Sequence, residues 1–203
     1  MSTTRLLLAD DQALVRGALA ALLDMESDIE VVAEVGRGDE VLDAVLEHQV
    51  HVAVLDIEMP GMDGIEVAAQ LAAAAPSVRS LIVTTFGRPG YLRRAMEAGA
   101  AGFVVKDTPA AELADAVRRV NAGLKVVDPH LATESLIEGM NPLTDRERDV
   151  LSETLTGAPV AEIARKLSLS SGTVRNYLST AAAKTHARSS GEAAVIARDR
   201  GWL

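Results

Sequence analysis

Through Ala122 the chain alternates between two textures. Short apolar runs at Leu6–Ala9, Glu30–Val35, Val50–Leu55, Leu81–Thr84 and Phe103–Val105 read as strands buried on both faces. Between and after them, Gln12–Leu23, Glu40–Glu47, Ile65–Ala74, Tyr91–Ala98 and Ala110–Ala122 carry apolar residues at helical spacing. Five strands alternating with five helices predict an α/β domain over residues 1–122, a doubly wound five-stranded parallel (βα)5 sheet. Gly123, Pro129, Gly139 and Pro142 then break the pattern. Residues 123–141 read as a linker, with a short helix expected at Pro129–Ile137. From Leu143 onward no strand pattern remains. Four helices are predicted, Thr144–Thr156, Pro159–Leu167, Ser171–Thr185 and Gly191–Arg200, making residues 142–203 an all-α domain.

Charge sharpens this division. The whole chain has a net charge of −9, which by itself argues against nucleic-acid binding. Residues 1–125 carry 19 acids and 11 bases, whereas residues 141–203 carry 7 acids and 9 bases. Between Ile163 and Gly191 there is no acid, but there are Arg165, Lys166, Arg175, Lys184 and Arg188. Such asymmetry indicates divided labour between the halves. The chain has five aromatic residues, so aliphatic side chains and alanine must fill both cores. Cysteine is absent, there is no signal-peptide pattern, and no apolar run approaches the roughly 18 residues of a membrane span. A cytoplasmic protein without membrane insertion is expected.

A parallel sheet of this kind binds ligands outside the carboxyl ends of its strands. The polar residues there are Asp10 and Asp11, Asp56, Thr84 and Thr85, and Lys106. Clustered carboxylates repel one another unless a cation neutralises them. An all-oxygen donor set suits Mg²⁺. A carboxylate beside Mg²⁺ can attack a phosphoryl group, with the cation and Lys106 offsetting charge on the transferring oxygens. Taken singly, the aspartates also read as solvated loop caps and Lys106 as a surface lysine.

The segments Leu8-Ala9-Asp10-Asp11, Val54-Leu55-Asp56-Ile57-Glu58-Met59-Pro60-Gly61-Met62-Asp63-Gly64, Thr84-Thr85 and Phe103-Val104-Val105-Lys106-Asp107 resemble the signature of response-regulator receiver domains over residues 5–122. The resemblance implies that Asp56 accepts phosphate from a sensor histidine kinase. Asp11 would bind Mg²⁺ directly, Asp10 through water, and the Glu58 backbone carbonyl would complete the protein ligands. Thr84 and Phe103 match the family's switch pair, and Lys106 its phosphate-contacting lysine. Phe103 reads equally as plain core. Strand alternation sends Thr84 and Thr85 to opposite faces, so one of them meets the phosphate, and the family pattern favours Thr84.

In Ser171–Thr185, Val174, Leu178, Ala181 and Thr185 fall on one face, with Arg175, Asn176 and Ser179 away from it. Ser170 stands at the expected N-cap. With Pro159–Leu167 before it, this is a helix-turn-helix pattern, Ser171–Thr185 being the recognition helix. Arginine can donate two bonds to guanine and asparagine can pair with adenine, so Arg175 and Asn176 are candidate base readers. Lys166, Ser170, Thr173, Lys184 and Arg188 are candidate phosphate contacts. A solvated basic helix in a protein-binding domain is the plainer alternative.

Leu143-Thr144-Asp145-Arg146-Glu147-Arg148-Asp149-Val150-Leu151, Glu162-Ile163-Ala164 and Ser170-Ser171-Gly172-Thr173-Val174-Arg175-Asn176 resemble the DNA-binding domain of the NarL/LuxR (FixJ) family, most like its DesR-type branch. The resemblance implies a transcription factor that binds double-stranded DNA. With 9 bases against 7 acids, residues 141–203 give a single copy few phosphates to neutralise, so phosphorylation is expected to promote a homodimer that reads two half-sites. Ala181 and Thr185 depart from the branched aliphatic and leucine common there, at a cost of roughly 1–3 kcal/mol at most. Ala193, Ala194, Ile196 and Ala197 in the last helix suit either internal packing or close pairing of two copies. Aspartate-based phosphatases offer a rival reading as an enzyme. They resemble a pattern with a second aspartate where Glu58 stands, and no cap domain is evident. No turnover beyond the receiver's own phosphotransfer and dephosphorylation is expected. A receiver that no longer takes phosphate is a further rival, opposed by the intact acidic set.

Overall fold

The structure, a computed structural model, describes residues 3–85, 89–129, 131–133 and 141–203. The chain divides into two compact units, a sheet-bearing one that reaches Thr133 and an all-helical one that runs to Leu203.

In the first unit the strands are β1 (Thr4–Ala9), β2 (Ile29–Val35), β3 (Val52–Leu55), β4 (Arg79–Thr84), β5 (Gly102–Val105) and β6 (Val126–Val127). The helices are α1 (Ala13–Leu23), α2 (Val41–Glu47), α3 (Gly64–Ala74), α4 (Pro89–Glu97), which belongs to this unit from Leu92 onward, and α5 (Ala110–Asn121). All five strands and five helices expected from the sequence are present. The sheet is parallel throughout, in the order β2-β1-β3-β4-β5-β6.

The sixth strand lies in the stretch read as linker. Val126 and Val127 pair with Gly102 and Phe103, and two residues are too few to display a strand period. The short helix expected at Pro129–Ile137 falls largely outside the described residues, of which 129 and 131–133 are helical.

Alternation along the strands sorts the core. Leu6 and Leu8, Val52 and Val54, Leu81 and Val83, and Val104 face one side. Ala20 and Leu23 of α1, and Leu113, Val117 and Val120 of α5, cover them. Strand order reverses between β1 and β3, so their carboxyl ends flank the crevice where ligands bind in such sheets. Asp56 donates its backbone N–H to the Ala9 carbonyl at 2.8 Å, which locks the two strand ends together.

The second unit holds α6 (Asp145–Leu155), α7 (Val160–Lys166), α8 (Ser171–Lys184) and α9 (Ser190–Asp199). A capping box starts α6. The Thr144 hydroxyl accepts from the Glu147 N–H, and Glu147 Oε2 accepts from the Thr144 N–H at 2.7 Å. Val150, Leu151, Ile163, Val174, Leu178 and Ala181 form its core, closed by Trp202. Thr185 is buried in place of a hydrocarbon, with its hydroxyl donating to the Ala181 carbonyl at 2.9 Å. Ala193, Ala194 and Ala197 are buried inside this unit, which is the internal-packing arrangement, while Val195 is exposed. Among the described residues no helix is long and apolar enough to cross a membrane.

Candidate functional site

The residues after β1 and β3 build an acidic cluster. Asp10 and Asp56 are buried and Asp11 is exposed, and each offers a carboxylate oxygen within 4.8 Å of the others. Lys106, one residue beyond β5, bridges the two buried members. Its Nζ lies 2.7 Å from Asp10 Oδ2 and 2.9 Å from Asp56 Oδ2. The remaining oxygens are held by the main chain. Asp10 Oδ1 accepts from Gln12 N–H and Asp56 Oδ1 from Ile57 N–H, at 2.9 and 2.8 Å.

Burial pushes the Asp56 carboxyl above its ordinary value. Lys106 opposes that shift, and the neighbouring charge of Asp10 reinforces it. Burial also works against the Lys106 ammonium, but its hydrogen bonds to Asp10 and Asp56 outweigh this and raise it. Two buried carboxylates thus share one ammonium, and among the described residues no ion pair joins it to the third, Asp11. The donors are all oxygen and open on one side through exposed Asp11, which fits a hard divalent cation such as Mg²⁺.

Thr84 ends β4 and is buried, whereas Thr85 is exposed. Thr84 pairs in register with Val105, so Phe103, two residues earlier on β5, shares its face of the sheet. Phe103 itself is fully buried, with Ile82 and Val127 as its strand partners. Glu58 is exposed, in the loop that leaves β3. Two glycines shape that loop. A Cβ on Gly64 would stand 2.0 Å from the Asp56 carbonyl oxygen, and one on Gly38 would stand 2.0 Å from that of Met62. Gly38 also donates its N–H to the Pro60 carbonyl at 3.1 Å. Gly38 bears on the Asp56 loop from the far end of β2, a relation invisible in local sequence.

In the helical unit, Ser170 caps α8, its Oγ accepting from the Thr173 N–H at 3.0 Å. The turn before it places Ser168 at φ 55° and is closed by Leu169 N–H on the Ala164 carbonyl at 2.8 Å. Arg175, Asn176 and Ser179 are exposed on one face of α8, opposite buried Val174, Leu178 and Ala181. Arg188 lies beyond the helix. The two lysines behave differently. Lys184 Nζ lies 2.7 Å from buried Glu147, and Lys166 Nζ lies 2.8 Å from Glu153. Arg165 is exposed beside Lys166 and has no ion pair among the described residues. Sequence alone does not single it out, because only the fold shows which bases are already matched by acids.

Comparison with known proteins identifies the family of each half of the chain. Residues 6–118 match the family described as response regulator receiver domain, and residues 141–197 match bacterial regulatory proteins, luxR family. The chain is 42% identical over 196 residues to the transcriptional regulatory protein DesR of Bacillus subtilis, covering 97% of each chain. It is 40% identical over 201 residues to the response regulator RamR of Streptomyces coelicolor, covering 98% of this chain and 97% of that one. The crystal structure of ChrA, the response regulator of a heme-sensing two-component system, matches with a TM-score of 0.60 and 32% identity over 100% of both chains. The chain belongs to the NarL/LuxR family of two-component response regulators, transcription regulators that join a receiver domain to a LuxR-type DNA-binding domain.

Proposed function

We propose that Asp56 is the phosphoacceptor and that its phosphorylation by a sensor histidine kinase promotes dimerisation and sequence-specific binding to double-stranded DNA. The observation that carries this reading is the Asp10, Asp11 and Asp56 cluster with Lys106 at its centre. Asp10, Asp11, Asp56 and the Glu58 carbonyl would hold Mg²⁺, which when bound offsets charge on the phosphoryl oxygens. An Asp56 carboxylate oxygen attacks phosphorus, and the bond to the donor nitrogen of the kinase histidine breaks. The product is an acyl phosphate. Lys106, already within reach of Asp56, steadies its negative charge, and the Thr84 hydroxyl hydrogen-bonds a phosphoryl oxygen. Thr84 and Phe103 share a sheet face, which supports a coupled rearrangement of the two. On DNA, Arg175, Asn176 and Ser179 address bases. Ser170, Thr173 and Arg188 address phosphates, together with Arg165. Lys166 and Lys184 contribute from within their ion pairs. A homodimer engages two half-sites and gains affinity through effective concentration.

Incubation with acetyl phosphate and Mg²⁺ followed by intact mass measurement tests the site. A gain of one phosphoryl group, lost in Asp56→Ala and on metal chelation, is expected. Labelling that survives Asp56→Ala overturns the assignment.

A further inference from the structure

Arg16 lies in the first half of α1 and turns back toward the ends of β1 and β2. Nη1 donates to the main-chain carbonyl of Asp10 at 2.5 Å. The guanidinium also lies against the chain leaving β2, where a Cβ on Gly36 would stand 3.5 Å from Nη1. Nε is buried without a hydrogen-bond partner, although Glu34 Oε2 is within ion-pair range at 3.5 Å. Arg16 also lines a small cavity with Leu8, Leu19, Val54 and the two buried aspartates, Asp10 and Asp56.

These contacts fall between the end of strand bonding and the start of helical bonding. Asp10 makes the last ladder bond of its strand, from its N–H to the Val35 carbonyl at 3.2 Å. Helical bonding resumes only at the Arg16 N–H, which donates to the Gln12 carbonyl. Asp11 opens the stretch between them, and its carboxylate must face Asp56 together with that of Asp10. The Asp10 side chain is fixed by Gln12 and Lys106, but the peptide that joins the two aspartates begins at the carbonyl Arg16 holds. A guanidinium there also adds a permanent positive charge on the α1 side of the cluster.

We propose that Arg16 is a positioning residue for the divalent-cation site, fixing the Asp10–Asp11 peptide so that both carboxylates address one ion. This rests on the reading of Asp10, Asp11 and Asp56 as a Mg²⁺ site. Partners one step removed from the ligands set metal affinity by about 10–100-fold in characterised sites.

The test is Mg²⁺ affinity by isothermal titration calorimetry on the full chain, with melting temperature recorded beside it. Arg16→Met keeps the apolar stem and removes the donors, and it should weaken Mg²⁺ binding by about tenfold or more. Arg16→Lys restores one donor and should fall between wild type and Arg16→Met. Glu34→Gln removes the other charge near the guanidinium and should leave Mg²⁺ affinity unchanged. Unaltered affinity in Arg16→Met overturns the proposal whatever its melting temperature. If that variant does not fold, unaltered affinity in Arg16→Lys overturns it instead. Equal weakening by Glu34→Gln also overturns it, since the charge at the β2 edge would then set affinity. A wild-type protein that takes up no Mg²⁺ sinks the metal-site reading and this proposal with it, an outcome separate from a wild type that binds and variants that match it.

Discussion

Lys184 Nζ stands 2.7 Å from Oε2 of Glu147, and Glu147 is buried. The contact ties the C-terminal end of α8 to the first turn of α6. Removing one partner of a buried ion pair costs about 3–5 kcal/mol. The Lys184 side chain is 32% exposed, so solvent screens the pair and about 1–3 kcal/mol is expected for Lys184→Met. The only tryptophan of the chain, Trp202, is buried in this unit, so its fluorescence during urea unfolding reports this unit. An unfolding midpoint equal to that of wild type would show that the pair contributes nothing.

The same pair predicts an acid dependence. Burial opposes the Glu147 charge, but hydrogen bonds from Lys184 and from Thr144 overcome it and hold the carboxyl below its ordinary value. A carboxyl lowered in the folded state stabilises fully above its unfolded pKa of about 4.3 and loses that contribution as pH falls through the folded value. The gap in urea midpoint between wild type and Lys184→Met should therefore be wide at neutral pH and narrow below pH of about 4. A gap of constant width contradicts this.

Lys106 serves two carboxylates at once, and it competes with any cation drawn to them. Lys106→Met should tighten Mg²⁺ binding, on the order of tenfold from the removal of one nearby positive charge. Acetyl phosphate labelling of Asp56 should slow in the same variant, because the ammonium no longer offsets phosphoryl charge. Mg²⁺ affinity and labelling rate moving in the same direction would contradict the competition.

Two glycines predict opposite outcomes. A methyl group on Gly64 meets the Asp56 carbonyl at 2.0 Å, so Gly64→Ala should cost about 1–3 kcal/mol and slow labelling. Gly17, inside α1, has nothing within 4 Å of where a methyl group would stand, and Gly17→Ala should stabilise by up to about 1 kcal/mol. Thermal unfolding of the two variants checks both signs.

Arg175 and Asn176 should carry sequence preference. Substituting either by alanine is expected to cost about 1–3 kcal/mol on a selected site and to relax discrimination there. Arg165→Ala should weaken all duplexes alike and flatten the salt dependence. An unchanged ratio of selected to scrambled binding in Arg175→Ala contradicts the assignment.

Much of this is legible in the sequence because it depends on local pattern. The apolar runs Leu6–Ala9, Val52–Leu55 and Leu81–Val83 are buried on both faces, and the ends of the first two carry Asp10 and Asp56 to one edge. Val174, Leu178 and Ala181 fix which face of α8 is buried, and so turn Arg175 and Asn176 outward. What escapes depends on contacts between distant segments. Val126–Val127 becomes a strand only because β5 offers it an edge. Lys184 reads as a free base until Glu147, 37 positions earlier, folds against it. Arg16 likewise reveals its role only when its donor meets the Asp10 carbonyl.

If the state of Asp56 controls DNA binding, a phosphoryl mimic must change affinity, and only through that residue. A duplex selected from a random pool by protein treated with beryllofluoride, such a mimic, provides the ligand. Its affinity is then measured by fluorescence anisotropy at one fixed salt concentration, with and without the mimic, for wild type and Asp56→Ala. Wild type should bind more tightly with the mimic, and Asp56→Ala should not respond. Equal affinity of wild type in both states, or an equal response from Asp56→Ala, contradicts control through Asp56.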